Sequence, residues 1–466
     1  MMPDAWTAPT PDALSSMSAE PLLTREYDAD PALVYERLRS RYGPVAPVDL
    51  LGVPVWLVLG YSEVLQVLQD KSGAWTKHLD NWRAKTEGRI PPDWPVLPAF
   101  EVDSSVFRDG EALRRLRNAW TAALAPFQER THPQAQMLEN AVRKYADDLI
   151  SVMAEGGSGA GWADLSAQYA RPLPLMVANR LLGFESARGD DVLMDAWRML
   201  DAGPDAAAAS DRLFAAMTDL AMAKMSNPGD DIPSYMLAAV SDLTLDELTR
   251  EILMVPGLVA DFTGTLICNT IVEVITNPDV RASLSQGIIE ETVNRVALIN
   301  PPMANLTFRF PTVDVRMGRF TIAAGDPVMV SVAAAHGDPL FGGAMNRNAL
   351  RSTRAHLAWG AGPHHCLGQR LATRITAIAV SRLFERLGRM RLALPVDQLP
   401  WRPSPLMRSL RSLPVQYEVV QAYTPPADTQ ARPAAEPEPS APPAPTAAGE
   451  APISALWRFL RGLRRG

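Results

Sequence analysis

Hydrophobic positions recur at helical spacing over much of the chain. The longest segments of this kind cover 111–125, 136–154, 246–277, 286–298 and 367–388. In each of them apolar residues fall three or four positions apart and so line one face of a helix. Two other stretches, 45–60 and 312–332, resemble strands and contain the turn-forming residues Gly52, Gly318 and Gly325. The pattern predicts a mainly α fold, a large helical domain with small β-sheets.

The chain divides into parts that differ in composition. Residues 1–20 are rich in Pro, Ser and Ala, which predicts a disordered N-terminus. Periodic segments then follow one another over 21–422 without a clear linker, which predicts one large domain. The next residues, 423–452, are rich in Pro and Ala and cannot bury a core, so they predict an extended linker.

The last residues, 453–466, predict a basic amphipathic helix. Apolar side chains share one side of it, and four arginines occur without an acid. The apolar set consists of Ile453, Leu456, Trp457, Leu460 and Leu463. Such a helix would dock on an acidic membrane surface or on an acidic partner, and the alternative is a solvated tail.

Composition excludes several classes of protein. The 466 residues carry a net charge of -7, and a nucleic-acid binder usually shows a basic excess. Two cysteines exclude a disulfide framework and fit a reducing cytoplasm. The N-terminus shows no signal sequence. The longest apolar stretch, 252–275, is interrupted by Pro256 and Asp261, which favours a buried helix over a membrane span. We therefore expect a cytoplasmic protein, with peripheral membrane attachment only through 453–466.

The strongest chemical signal is the run HLAWGAGPHHCLGQRLA at 356–372. Cys366 follows a glycine-rich turn and precedes a helical pattern, so the first amides of that helix would point at its sulfur and favour the thiolate. Gly360 and Gly362 permit a tight turn, and Gly368 permits a flat cofactor to approach the backbone. The alternative for Cys366 is a buried structural thiol. For Cys268, inside an apolar helix, a plain core cysteine is the better interpretation.

The run WGAGPHHCLG resembles the cysteine-loop signature of the cytochromes P450, F-G-x-G-x-[HR]-x-C-x-G, with Trp359 in place of Phe. RPLPLMVANRLLGF at 171–184, NPGDDIPSYML at 227–237 and AHGDP at 335–339 resemble further segments of the family in the same order. The resemblance covers about 21–422. It implies the cytochrome P450 fold, with small sheets and helices enclosing haem b, and Cys366 as the ligand of the iron. A thiolate ligand favours O–O cleavage.

The resemblance also implies which residues bind the haem propionates. Arg117 matches the arginine of the family's H-x-x-x-R, although Leu113 occupies the position of its histidine. Arg309 matches a second propionate arginine, and His364 and His356 match positions on the side of the cysteine loop. The alternative for each is a solvated charge or a satisfied structural histidine.

Two departures from the family pattern concern long helices. Relatives carry E-x-x-R, an ion pair at i, i+3 that braces the core on the haem side. Here Asn294 stands three residues after Glu291, and Arg295 comes one residue later. A pair between Glu291 and Arg295 at i, i+4 is one way to restore the brace.

The second departure is in LVADFTG, which resembles the distal segment where the family places an acid and a threonine for proton delivery. Asp261 holds the position of the acid, Phe262 that of the threonine, and Thr263 follows. Asp261 and Thr263 are the candidate catalytic residues. The alternative for Asp261 is an internal hydrogen bond across a helix kink.

The resemblance implies a monooxygenase that acts on a small organic substrate with two electrons from a ferredoxin or a flavodoxin. Two alternatives remain open. The altered motifs would also fit a catalytically impaired accessory or binding protein, which the intact loop around Cys366 opposes. A haem-thiolate peroxygenase is the other, because peroxide bypasses the proton relay.

Overall fold

The computed structural model describes residues 14–97, 103–155, 159–184, 186–200, 204–284, 288–342, 353–420 and 459–462. The helices are α1 (Arg25–Ala29), α2 (Pro31–Tyr42), α3 (Tyr61–Leu68), α4 (Arg83–Thr86), α5 (Gly110–Gln128), α6 (Pro133–Ala154), α7 (Pro172–Leu182), α8 (Ser186–Leu200), α9 (Ala206–Ser226), α10 (Ile232–Ala239), α11 (Leu245–Gly257), α12 (Gly264–Thr276), α13 (Pro278–Leu284), α14 (Ile289–Ile299), α15 (Val332–His336), α16 (Pro339–Gly342) and α17 (Gln369–Arg386). The predicted helical segments are confirmed, with shifts of a few residues at their ends.

The strands are β1 (Glu20–Pro21), β2 (Val45–Leu50), β3 (Val53–Val58), β4 (Trp75–Thr76), β5 (Ala160–Asp164), β6 (Asn305–Pro311), β7 (Val315–Met317), β8 (Phe320–Ile322), β9 (Val328–Ser331), β10 (Leu387–Leu392) and β11 (Pro414–Val419). They form a mixed six-stranded sheet in the order β1-β2-β3-β9-β6-β4, a three-stranded sheet β10-β11-β5 and the hairpin β7-β8. Both predicted β sections are confirmed. Gly52 turns between β2 and β3 at φ 87°, and Gly318 turns between β7 and β8 at φ 60°.

The central helix is continuous from α11 to α12 through a π-helical segment, Leu258–Thr263 (the second π segment). Pro256 explains part of this irregularity, because it lacks the N–H that would bond to the carbonyl four residues earlier. A first π segment, Ser166–Ala170, precedes α7. Leu245–Thr276 is long and apolar enough to cross a membrane, yet 61% of its most apolar window is buried inside the fold. This confirms a core helix.

Two large apolar clusters form the core. One joins α6, α7, α11, α12 and α17, with buried side chains such as Leu149, Leu175, Ile271 and Leu383. The other lies between the six-stranded sheet and α2 and α3, and includes Trp56. The helix with the central π segment and the helix that follows Cys366 therefore belong to the same packed unit.

The chain ends contribute to the domain where they are described. Residues 1–13 and the linker 423–452 lie outside the described residues, and so does most of 453–466. Leu14 is buried, and Glu20 pairs with Val48 in the sheet. The predicted disordered segment 1–20 therefore includes residues, from Leu14 onward, that belong to the folded domain. Leu460 is 1% exposed, and Arg461 forms an ion pair with Glu155 at 3.1 Å.

Candidate active site

The loop before α17 presents the sulfur of Cys366 to the amides of the helix. The N–H of Cys366 donates to the carbonyl of Trp359 at 2.8 Å, which closes the turn. Gly360 and Gly362 have φ of 70° and 65°, and a Cβ on Gly362 would collide with the carbonyl of Leu68. Glycine is therefore required at Gly362 by both conformation and space.

The electrostatics of the thiol combine two opposing effects. Burial raises the pKa of Cys366, while hydrogen bonds from the amides of Gly368 and Gln369 and the charge of Arg117 act to lower it. Arg117, on α5, also donates to the carbonyl of His365 at 2.8 Å. A metal ion deprotonates a coordinating thiol, and the amides and Arg117 are then aligned to stabilise the thiolate.

Trp359 packs beside the loop against α12 and α14. It contacts a small cluster of buried side chains, Leu266, Val293, Val296 and Ala297. Trp359, in place of the family's phenylalanine, therefore makes apolar contact between the cysteine loop and these two helices.

A second group of polar residues lies where β4, β6 and the N-terminus of α5 meet. Arg309 and Lys77 are 5% and 4% exposed. Asp109 accepts the Lys77 amide at 2.7 Å and the Thr76 hydroxyl at 2.8 Å, and its other carboxylate oxygen lies 3.4 Å from His364 Nε2. No pattern in the sequence points to Lys77, because a lone lysine is usually solvated.

The pKa shifts of this group report an excess of buried positive charge. Burial lowers the pKa of Arg309 to about 10, and burial with repulsion from Arg309 lowers that of Lys77. Burial lowers the pKa of His364 to about 4, against the hydrogen bond to Asp109. Within the described residues neither Arg309 nor Lys77 forms an ion pair. A site with two buried cations and one carboxylate fits an anionic ligand such as the haem propionates.

His356 lies elsewhere, against α14. Its Nε2 is 2.9 Å from Asn294 Oδ1, and the side chain is 7% exposed. The structure thus groups Arg309 with His364, groups Arg117 with Cys366, and joins His356 to α14. Leu113 is buried and apolar, so it supplies no hydrogen bond at the family's histidine position.

The ion pairs of α14 differ from those expected. Glu291 pairs with Arg354 at 2.6 Å, and Arg295 pairs with Glu273 of α12 at 3.1 Å. The pair Glu291–Arg295 considered from the sequence is wrong, because each partner is bound to another element.

The candidate relay residues lie in the second π segment. Asp261 and Phe262 are half-buried, and Thr263 is 4% exposed. A π segment has a wider turn than an α-helix and often marks a functional site. Sequence periodicity does not predict this widening.

Comparison with known proteins decides the family. No family model matches the chain. Cytochrome P450 107B1 of Saccharopolyspora erythraea is 32% identical over 399 residues, which cover 82% of this chain and 94% of that protein. Cytochrome P450 monooxygenase PikC of Streptomyces venezuelae is 30% identical over 409 residues, 85% of this chain and 93% of that protein. The chain belongs to the cytochrome P450 family.

Solved structures agree with the fold of this cytochrome P450. The structure of CYP154C4 from Streptomyces sp. W2061 superposes with a TM-score of 0.74 at 28% identity, and covers 86% of this chain and 98% of its own. Ligand-free TamI gives a TM-score of 0.73 at 27% identity, over 86% and 95% of the two chains. This cytochrome P450 is a haem-thiolate monooxygenase with haem b as its cofactor. The relatives are named as hydroxylases and monooxygenases, and they give no support to the impaired alternative.

Proposed function

We propose that this cytochrome P450 inserts one oxygen atom of dioxygen into a small organic substrate, with the thiolate of Cys366 as the iron ligand. The observation that carries the proposal is the loop geometry, in which the amides of Gly368 and Gln369 are directed at Sγ beside Arg117. Haem with a thiolate ligand supplies the cleavage of dioxygen. The chain's own residues hold the cofactor, orient it and handle protons.

The propionates would be held from two sides. The buried cations Arg309 and Lys77 lie on one side together with His364, and Arg117 lies beside the cysteine loop. A propionate carboxylate would neutralise the excess charge of Lys77 and Arg309, and charge-assisted hydrogen bonds of this kind are short and strong. Gly360, Gly362 and Gly368 would let a haem ring approach the loop backbone, and Trp359 supports the loop by packing on α12 and α14.

Asp261 and Thr263 would handle protons on the distal side. Asp261 is half-buried and can take a proton at its carboxylate, and the Thr263 hydroxyl can donate a hydrogen bond. The wider π turn alters the angle between successive residues, so Thr263 need not lie a full α-helical step from the family's threonine position. Replacing Phe262→Thr tests this. More product per reducing equivalent would mean that the relay hydroxyl belongs at position 262 rather than 263.

The chain needs an electron donor from outside, and we infer a ferredoxin or a flavodoxin. Bacterial relatives need a redox partner such as a ferredoxin, which supports this inference. The expected location is the cytoplasm, where reduced donors are available. An anionic membrane or an acidic partner at 453–466 stays a prediction from the sequence.

The substrate class follows only from relatives. Their names include a hydroxylase of 2-hydroxy-5-methyl-1-naphthoate, a 25-hydroxylase of vitamin D(3) and a hydroxylase of 6-deoxyerythronolide B. We propose a ring-containing, mainly apolar substrate. Substrate-induced shifts of the Soret band across a library of fused-ring and macrocyclic compounds would identify it, and charged open-chain compounds serve as the comparison.

The ligand assignment is tested by comparing the two cysteines. The reduced protein with carbon monoxide should show the Soret band of thiolate-ligated haem. Cys366→Ala should abolish that band. Cys268→Ala is the matched control, because Cys268 is buried in α12 and burial raises its pKa to about 12. A band that survives in Cys366→Ala would refute the assignment.

A further inference from the structure

Hydrogen bonds between uncharged groups join α14 to the segment that leads into the cysteine loop. His356 Nε2 lies 2.9 Å from Asn294 Oδ1, and Asn294 Nδ2 donates to the carbonyl of Thr353 at 3.2 Å. A second histidine repeats the link, because His336 Nδ1 lies 2.8 Å from the carbonyl of Leu298, and its Nε2 accepts the N–H of Leu357 at 2.8 Å.

The partners fix the tautomer of each histidine. A carbonyl only accepts, so His336 carries its proton on Nδ1 and accepts at Nε2. His356 accepts the N–H of Ala358 at Nδ1, at 3.4 Å, and therefore carries its proton on Nε2 and donates it to Asn294. The amide of Asn294 then uses its oxygen for His356 and its nitrogen for Thr353. The two imidazole rings and the oxygen and nitrogen of the Asn294 amide therefore all have hydrogen-bond partners while both rings are neutral.

The charged residues near the family's E-x-x-R position do not pair with each other here but with residues of other segments. Glu291 pairs with Arg354, but the side chains are 47% and 55% exposed. An exposed ion pair of this kind contributes little, because water screens it. Arg295 is turned to Glu273 of α12. Asn294 is only 8% exposed and makes buried contacts with Thr353 and His356, in the segment that precedes the cysteine loop.

A short path connects this contact to the sulfur. His356 holds the N–H of Ala358, the next residue Trp359 packs on α12 and α14, and its carbonyl accepts the N–H of Cys366 at 2.8 Å. A shift of His356 would therefore move the turn that presents Sγ.

We propose that Asn294 and His356 are positioning residues, and that their hydrogen bond takes the place of the family's charged brace in holding the Cys366 loop. The proposal rests on Cys366 as the iron ligand. It assigns to Asn294 a specific role in place of the arginine, and it assigns to Glu291 no role in ligand geometry.

The test measures ligation rather than turnover. Asn294→Leu, His356→Leu and the double variant are reduced with carbon monoxide, and the ratio of the thiolate band to the neutral-thiol band is recorded. Each single variant should lower this ratio by about fivefold, the equivalent of one hydrogen bond. The double variant should lower the ratio by less than the product of the two single effects, because both single variants remove the same His356–Asn294 bond. Asn294→Asp keeps an oxygen opposite Nε2 but loses the donor to the carbonyl of Thr353, so it should restore only part of the ratio.

Glu291→Gln is the matched control, on the same helix and one turn away, and should keep the parent ratio. The apoprotein gives a second readout, because the Ala358 amide should exchange its hydrogen about fivefold faster in Asn294→Leu. If Asn294→Leu does not fold, Asn294→Ala takes its place. An unchanged ratio and exchange rate in the Asn294 variants, or an equal loss in Glu291→Gln, would overturn the proposal. A parent protein without the thiolate band would instead refute the ligand assignment, and the exchange measurement would still test the brace.

Discussion

Gly264, the first residue of α12, packs directly on the backbone at Ala170, so that a Cβ on Gly264 would lie 2.8 Å from the carbonyl oxygen of Ala170. Ala170 is the last residue of the first π segment and Gly264 directly follows the second, so the wide turns of the two segments lie against each other. Because the obstacle is backbone, it cannot move aside as a flexible side chain would.

We therefore expect Gly264→Ala to destabilise the protein by about 1–3 kcal/mol, the usual cost of overpacking. Gly257→Ala is the control, because it lies in the same long helix and a Cβ there meets nothing within 4 Å. It should be neutral or stabilising by roughly 0.5–1 kcal/mol through helix propensity. Denaturant unfolding of the two variants measures the difference, and equal stabilities would show that the two segments do not pack this closely.

The buried charges of Lys77 and Arg309 should destabilise the apoprotein but increase its affinity for haem. In the apoprotein each charge lacks an ion pair within the described residues, so Lys77→Met should stabilise it by roughly 1–3 kcal/mol. With haem bound, the same variant loses a partner of a propionate, and haem affinity should fall by about 1.5–3 kcal/mol.

Unfolding of the apoprotein and transfer of haem to an excess acceptor protein measure the two quantities. Arg114→Met is a control on α5, since the Arg114 side chain is 71% exposed. Loss of stability in the apoprotein of Lys77→Met, or haem retention equal to that of the parent, would contradict a propionate role for Lys77.

The sequence predicted the elements of this fold well, because the helices are long and the two β sections carry strong turn residues. It predicted the loop of Cys366 for a different reason: glycines and a helix start are local features. The partners of α14 could not be predicted, because Glu291–Arg354 and His356–Asn294 join residues about sixty positions apart. The π segments were also missed, since one widened turn hardly changes the periodicity of a long apolar helix.

Stability should fall on mild acidification because of His356. Burial lowers its pKa to about 4, with repulsion from Arg354, and burial lowers that of His336, 5.9 Å away between ring centroids, to about 3. Both folded-state values lie below the usual value near 6.5, so the unfolded chain binds more protons. The contribution is fully present above about pH 6.5 and is lost as the pH falls toward 4.

His356→Gln removes one of these titrations. Between pH 6 and 5 the free energy of unfolding of the parent should fall more steeply than that of the variant, by about 1.4 kcal/mol per pH unit at most. The nearby ion pair Glu291–Arg354 is present in both proteins, so it does not affect the comparison. Parallel pH profiles would show that His356 is not held neutral by the fold.

The last prediction concerns the C-terminal residues. The sequence favours docking of 453–466 on an acidic membrane or partner, but the described residues 459–462 already contact the domain. The ring of Phe459 lies 5.4 Å from that of Trp197 on α8, Leu460 is 1% exposed, and Arg461 pairs with Glu155. Burial of a leucine stabilises by roughly 1.5–3 kcal/mol, while an exposed ion pair adds less than about 1 kcal/mol.

Leu460→Asp should therefore release this contact, whereas Arg461→Gln should leave most of it in place. A fluorescent label attached at Gly466 reports the difference, because a docked end tumbles with the domain and gives high anisotropy. The anisotropy should fall clearly in Leu460→Asp and little in Arg461→Gln. Sedimentation with anionic and neutral vesicles is measured on the same proteins and on a chain that ends at Val420. Equal anisotropy of the parent and Leu460→Asp would contradict docking on the domain. If the parent pellets with anionic vesicles but not with neutral ones, and the shortened chain pellets with neither, the C-terminal residues bind a membrane surface instead. Such binding requires their apolar side chains to leave Trp197, because the same side chains cannot contact the domain and the membrane at once.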